Sequence, residues 1–185
     1  MEVEVSAEAK DKRLNRMVAI TVVVLSIFTG LCNIKDGNLV QAMQQAQSDA
    51  VDAWNEYQSD KVKLHVAEST RVEIAALGPR NSAGSAELPR LDADIAKYRA
   101  EAPGLEKKAQ DYAAQYDALN VHDDQFDASE ALISTAISLA AVAALCEAFW
   151  LLAAGWGFGA FGMFLGVCGF ARWGFHPDVL SNFLG

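Results

Sequence analysis

The sequence predicts an all-α membrane protein, with three transmembrane helices and a long antiparallel helical hairpin, a coiled coil, between the first and the second. Three observations predict it. Charge is segregated: residues 17–31 carry none, 33–130 carry most of it, and 131–171 hold a single carboxylate, Glu147. Positions at unbroken 4-3 spacing from Leu91 to Ile133 are mostly large apolar, aromatic or alanine, as a coiled-coil seam requires. A run containing two glycines and two prolines, 78–89, separates two polar arms of nearly equal length.

Residues 1–16 form an N-terminal segment that ends in Lys10, Lys12, Arg13 and Arg16. The first span follows at 17–34. A basic segment before a short apolar run also describes a cleaved signal peptide. No small-x-small site follows this one, however, and Leu31 stands before Cys32 where a lipoprotein signal needs a small residue. The reading is an uncleaved signal anchor. Its β-branched run Ile20-Thr21-Val22-Val23-Val24 suits lipid, where the backbone has no partner outside the helix. Four basic residues precede the span and only Lys35 closely follows it, which predicts a cytoplasmic N-terminus in the bacterial inner membrane. The region 35–130 and the tail 175–185 then lie on the periplasmic side.

The first polar arm repeats Val40, Met43, Gln47, Ala50, Trp54, Tyr57, Lys61 and Leu64 at 3-4 spacing. The second carries Leu91, Ile95, Tyr98, Ala102, Leu105, Ala109, Tyr112, Tyr116, Leu119, Asp123, Phe126, Glu130 and Ile133. Each arm is about 40 residues, or roughly 60 Å of helix. Folding the chain about Ala83 brings Trp54 level with Tyr112 and makes Trp54, Tyr57, Tyr98, Tyr112 and Tyr116 the aromatic part of the seam. Pro103-Gly104 interrupts the second arm without loss of phase, which predicts a kink or two stacked helices. The seam is too rich in alanine and polar residues for an isolated two-helix rod, so self-association is expected.

The second span is predicted at 131–152 and the third at 156–174, with a turn near 153–157 bracketed by Trp150 and Trp156. Trp173 ends the third span, so the three tryptophans make an aromatic belt. Ala136, Ala140, Ala144 and Ala148 share one face of the second span. Gly155, Gly159, Gly162, Gly166 and Gly169 follow a 4-3-4-3 spacing, a stripe along which another helix can approach closely. The alanine face is its expected occupant.

Chemistry is sparse. Glu147 is the intramembrane polar residue, and a carboxylate there handles ions, stays protonated, or reaches the interface. His122, Asp123, Asp124, Asp127 and Glu130 form an acidic group at the membrane edge. Their spacing matches no metal loop, and Asp127-Ala128-Ser129-Glu130 reads as a capping box, so no metal is expected. Cys32, Cys146 and Cys168 lack any C-x-x-C pairing, and His65 and His176 are isolated. Gly155-x-Gly157-x-Gly159 follows no strand, so it is not a dinucleotide loop. No Walker lysine motif or nucleophile elbow is present, and no cofactor is expected. Residues 33–130 hold 18 acidic against 10 basic residues, which argues against nucleic acid.

Two stretches carry a family resemblance. Trp54-Asn55-Glu56-Tyr57-Gln58, followed by Lys61, Lys63 and His65, is one; Phe126-Asp127-Ala128-Ser129-Glu130-Ala131-Leu132, leading into an alanine-rich and then a glycine-rich span, is the other. Together they resemble the bacterial domain of unknown function 4337 family. The resemblance implies a three-span bacterial membrane protein and brings no catalytic residues. The expected role is a non-enzymatic, homo-oligomeric coiled-coil scaffold of the envelope. The alternatives are a channel or transport subunit with Glu147 at a pore, or an accessory subunit of another membrane complex.

Overall fold

A computed structural model describes residues 2–77 and 82–175. Three helices follow in order: α1 (Glu2–Leu77), α2 (Ser82–Leu145) and α3 (Phe149–Ala171), with no strand among the described residues. Each contains a stretch long and apolar enough to cross a membrane.

Two boundaries differ from the sequence reading. The tip expected at 78–89 is shorter, because α2 begins at Ser82 and takes in Pro89; residues 78–81 lie outside the described residues. Ala83, Ala86, Glu87 and Leu88 favour helix strongly enough to outweigh one proline. Likewise α2 passes Pro103-Gly104 as one helix, not two stacked ones. Pro103 is exposed, so water can satisfy the carbonyl that it leaves unpaired.

The other difference is the turn after the second apolar stretch. It was expected near 153–157, but α2 stops at Leu145 and α3 starts at Phe149. The connection is made by the Cys146 N–H on the Val142 carbonyl at 2.9 Å and the Ala148 N–H on the Ala143 carbonyl at 3.1 Å. Glu147 between them takes the left-handed conformation, φ 53°, at the position where glycine normally ends a helix. The glycines at 155 and 157 misled the reading. Glycine weakens a helix by freeing and exposing its backbone, a penalty reduced where a neighbouring helix covers it, as at Gly155.

The chain forms two compact units, Met1–Ala42 with Ala118–Gly185, and Met43–Asp117. In the first unit, Leu14 and Val18 of α1 pack with Ala140 and Ala143 of α2 and Leu152 of α3. Farther along, Leu25 packs with Ile133 and Ala136, and Phe28 and Met163 close over them. Trp156 adds a hydrogen bond from its indole Nε1 to Thr21 Oγ1 at 2.9 Å. The outward faces are apolar too: Ile20, Val23, Val24, Ile27 and Leu31 of α1 and Phe158, Phe161 and Phe164 of α3 are exposed.

The second unit is made of α1 and α2 only. Leu64 and Ala67 pack on Ile95, with Leu91 and Tyr98 at the edge. Arg71 pairs with Asp92 and Arg99 with Glu68, both across the two helices. The buried stripe on α1 is Met43, Ala46, Ala50, Ala53, Asp60, Leu64 and Ala67. The sequence stripe shares Met43, Ala50 and Leu64 with it, but Gln47 is exposed and Val40, Trp54 and Lys61 are half-buried. Three alanines explain the shift. They are small enough to lie against the partner helix, while the larger Trp54 stays half-buried.

Candidate functional site

The most polar part of the first unit lies just outside the apolar stretches, where α1, α2 and the segment after α3 meet. Gln125 of α2 is fully buried. Its Nε2 donates to the Trp173 carbonyl at 2.8 Å and to the Phe175 carbonyl. With both amide protons used there, its Oε1 is the acceptor that faces His122 Nδ1 at 3.0 Å, so His122 carries a proton on Nδ1. The segment after α3 is brought round by a left-handed residue, Arg172 with φ 53°, and by the Trp173 N–H on the Cys168 carbonyl at 3.0 Å.

Beside this clamp, Asp36 of α1 and Asp123 of α2 lie close enough for each carboxyl to perturb the ionisation of the other. Asp36 Oδ1 is buried and has no hydrogen-bond partner. Burial first, then the charge of Asp36 and Asp127, pushes the Asp123 carboxyl up to about 6. Burial also raises Asp36, with the charges of Asp127 and Glu130 adding to it. Asp127 rises through burial and the charge of Asp124. Two carboxyls close together cannot both be ionised at low cost. Asp123 is therefore the carboxyl that takes up a proton well above the usual carboxylate range as the pH falls.

The glycine stripe of α3 is buried along its length at Gly155, Gly159, Gly162, Gly166 and Gly169. An added Cβ would lie 3.0 Å from the Ala136 carbonyl at Gly155, and 3.2 Å from Leu25 at Gly159. At Gly166 it would lie 2.7 Å from Phe28, and at Gly169 2.8 Å from Phe126. The stripe thus receives two helices. Ala136 and Ala140 of the expected face approach it, but Ala144 packs near Leu14 and Val18, and Ala148 belongs to the turn.

Glu147 lies outside the helices, its side chain exposed in the turn between α2 and α3. Trp156 lies inside α3, not at that turn. Cys32 and Cys168 are buried and Cys146 is exposed; none is in a disulfide. No group of three His, Cys, Asp or Glu among the described residues converges to hold a metal. His176 lies outside the described residues. In the second unit Trp54 packs edge-on against Tyr57 at 5.6 Å, and Tyr57, Tyr98, Tyr112 and Tyr116 are half-buried. Lys63 and Lys97 both lie over the Tyr98 ring. The cleft there, about 530 Å³, is lined by Glu56, Asp60 and Glu101 against Lys63, Lys97 and Lys108. Equal numbers of opposite charges give it no preference for an anion or a cation.

Sequence reading missed Asp36 and Gln125. Asp36 lies one turn past Cys32 on the α1 flank that meets α2. The equal-arm fold places it level with Glu130, about two turns from Asp123, so the signal was register, not motif. Gln125 had no signal, because its partners are backbone carbonyls.

No curated protein and no solved structure matches the chain. The family described as Domain of unknown function (DUF4337) matches residues 14–172, which includes all three apolar stretches, both polar arms and the Asp36–Asp123 pair, and the chain belongs to that family.

Proposed function

We propose that the protein is a non-enzymatic, integral protein of the bacterial inner membrane whose polar arms form an antiparallel hairpin and assemble with other copies into a helical scaffold. The apolar stretches of α1, α2 and α3 are its three spans. The N-terminus is cytoplasmic and the hairpin periplasmic, from the basic residues before the first span.

One observation carries the assembly. On α1 of the second unit, Val51, Val62, Val66 and Val72 are exposed by 53, 61, 59 and 65 %. At 100° per residue they fall within an arc of about 120°, centred on the side away from the stripe that packs on α2. In a region rich in charge and outside the spans, such a face is best covered by another copy. Glu147 lies in the turn between α2 and α3 and not on an apolar helix face, so the transport reading gains no support from it.

Mass photometry of the full protein in detergent tests this. The expected result is an oligomer for wild type, and loss of it for Val62→Lys combined with Val66→Lys. A monomeric wild type, or an oligomer unaffected by the double substitution, would remove the proposal.

A further inference from the structure

We propose that the groove between α1 and α3 is a phospholipid site, seating one acyl chain among apolar side chains and drawing an anionic headgroup to Arg13 and Arg16. The inference rests on the reading of the apolar stretches as spans. The groove holds about 320 Å³ and is lined by Ile20 and Val24 of α1 and by Trp156, Gly159, Ala160 and Met163 of α3. Gly159 and Ala160 leave room where larger residues would fill it. Polar groups are few, and the Trp156 indole N–H is already spent on Thr21 Oγ1 at 2.9 Å. An apolar chain is the occupant that such a lining favours.

Charge lies at one end of this groove. Arg13, Ile20 and Val24 follow at intervals of seven and four residues, which places them along one face of α1, and all three are exposed. Arg16 is exposed too, about one turn before Ile20. Neither arginine makes an ion pair among the described residues. The register of the two helices adds a third positive element. Leu14 and Val18 pack with Leu152, and Thr21 meets Trp156, so the start of α3 at Phe149 is level with the arginines. That start has no side-chain cap, and a helix start carries a partial positive charge. Glu147 in the preceding turn opposes an anion with one charge against two.

A second copy fits this groove less well. From Trp156 to Met163 is about 10 Å along α3, and a helix about 10 Å across fills about 800 Å³ over that length. That is more than twice the space available. A copy related by two-fold symmetry would also bring its own arginines against these. A phospholipid answers both the apolar lining and the arginines in one molecule, as basic residues beside spans answer anionic headgroups generally.

The test uses the full chain with Trp54→Phe, Trp150→Phe and Trp173→Phe, so that Trp156 alone fluoresces. It is placed in phosphatidylcholine vesicles doped with lipid brominated on its acyl chains, which quenches an indole only on contact. Brominated phosphatidylglycerol should quench along a saturating curve, at about tenfold lower mole fraction than brominated phosphatidylcholine. Arg13→Gln combined with Arg16→Gln should remove that difference while both lipids still reach Trp156. Ala160→Phe, which fills the groove, should remove the saturation. Equal, non-saturating curves for the two lipids on the parent chain would overturn the site, as would a preference that survives both changes. No quenching in vesicles made wholly of brominated phosphatidylcholine would remove the span reading, and the site with it.

Discussion

At Gly162 in the first unit, one added Cβ would lie 2.9 Å from Ile133 and 3.0 Å from the Ser129 carbonyl; at Gly104 in the second, it would meet nothing within 4 Å. Gly155, Gly159, Gly166 and Gly169 along the same stripe are closed in as tightly. Three helices close on each other in the first unit until backbone touches side chain, and its buried residues include bulky ones such as Ile133, Leu152 and Leu165. Two helices meet in the second through alanines, with Leu64 and Ile95 as larger anchors and charged pairs along the edge. Small residues therefore do two jobs. In the first unit they admit a third helix; in the second they bring two helices together with little apolar area buried. The second unit is left with an uncovered valine face, and the first with outward faces suited to lipid.

The largest effect should come from filling the stripe. Gly166→Leu places bulk where Phe28 and Ser129 already lie within 3 Å of a Cβ. It should cost about 3 kcal/mol in thermal unfolding of the detergent-solubilised protein. Gly157→Leu, where nothing lies within 4 Å, should unfold close to wild type. Equal midpoints for the two would mean that α3 does not pack by this face.

A smaller loss is expected from Leu64→Ala, which empties the contact with Ala67 and Ile95. About 2 kcal/mol is expected, at the lower end for a buried leucine because a two-helix seam can partly collapse. Exchange protection should fall in 43–117. Unchanged protection there would place the anchor of that unit elsewhere.

The smallest effect belongs to Arg71→Ala, which removes the exposed pair with Asp92. The unfolding midpoint should fall by about a degree or two at low salt and should match wild type in 1 M salt. A drop that persists in high salt would show that the arginine acts through its apolar stem rather than its charge.

What was legible in the sequence was what repeats locally. The glycine stripe, the seam positions Ile95, Ala109 and Phe126, and the three apolar stretches all follow from spacing along one helix. At Glu130 the local rule failed: that residue is exposed, and Ser129 is buried in its place because α2 there meets α1 and α3 together. The turn at 146–148 was missed because no glycine or proline marks it, while the glycines that suggested a turn lie inside α3. The carboxyl pair was missed for another reason. Asp36 and Asp123 are far apart in the chain, and their proximity depends on the register between helices rather than on either helix.

Trp156 reaches Thr21 across 135 residues, whereas Arg71 and Asp92 are separated by 21. That difference is one of time as well as distance. During synthesis, the contacts of the second unit become available while α3 is still to be made. The apolar stretch of α1 must wait, without its glycine-lined neighbour, until α3 has emerged. Contacts this remote form slowly, and exposed apolar helices invite wrong partners in the interval. Whatever receives the nascent helix must shelter α1 for as long as the ribosome takes to traverse the rest of the protein.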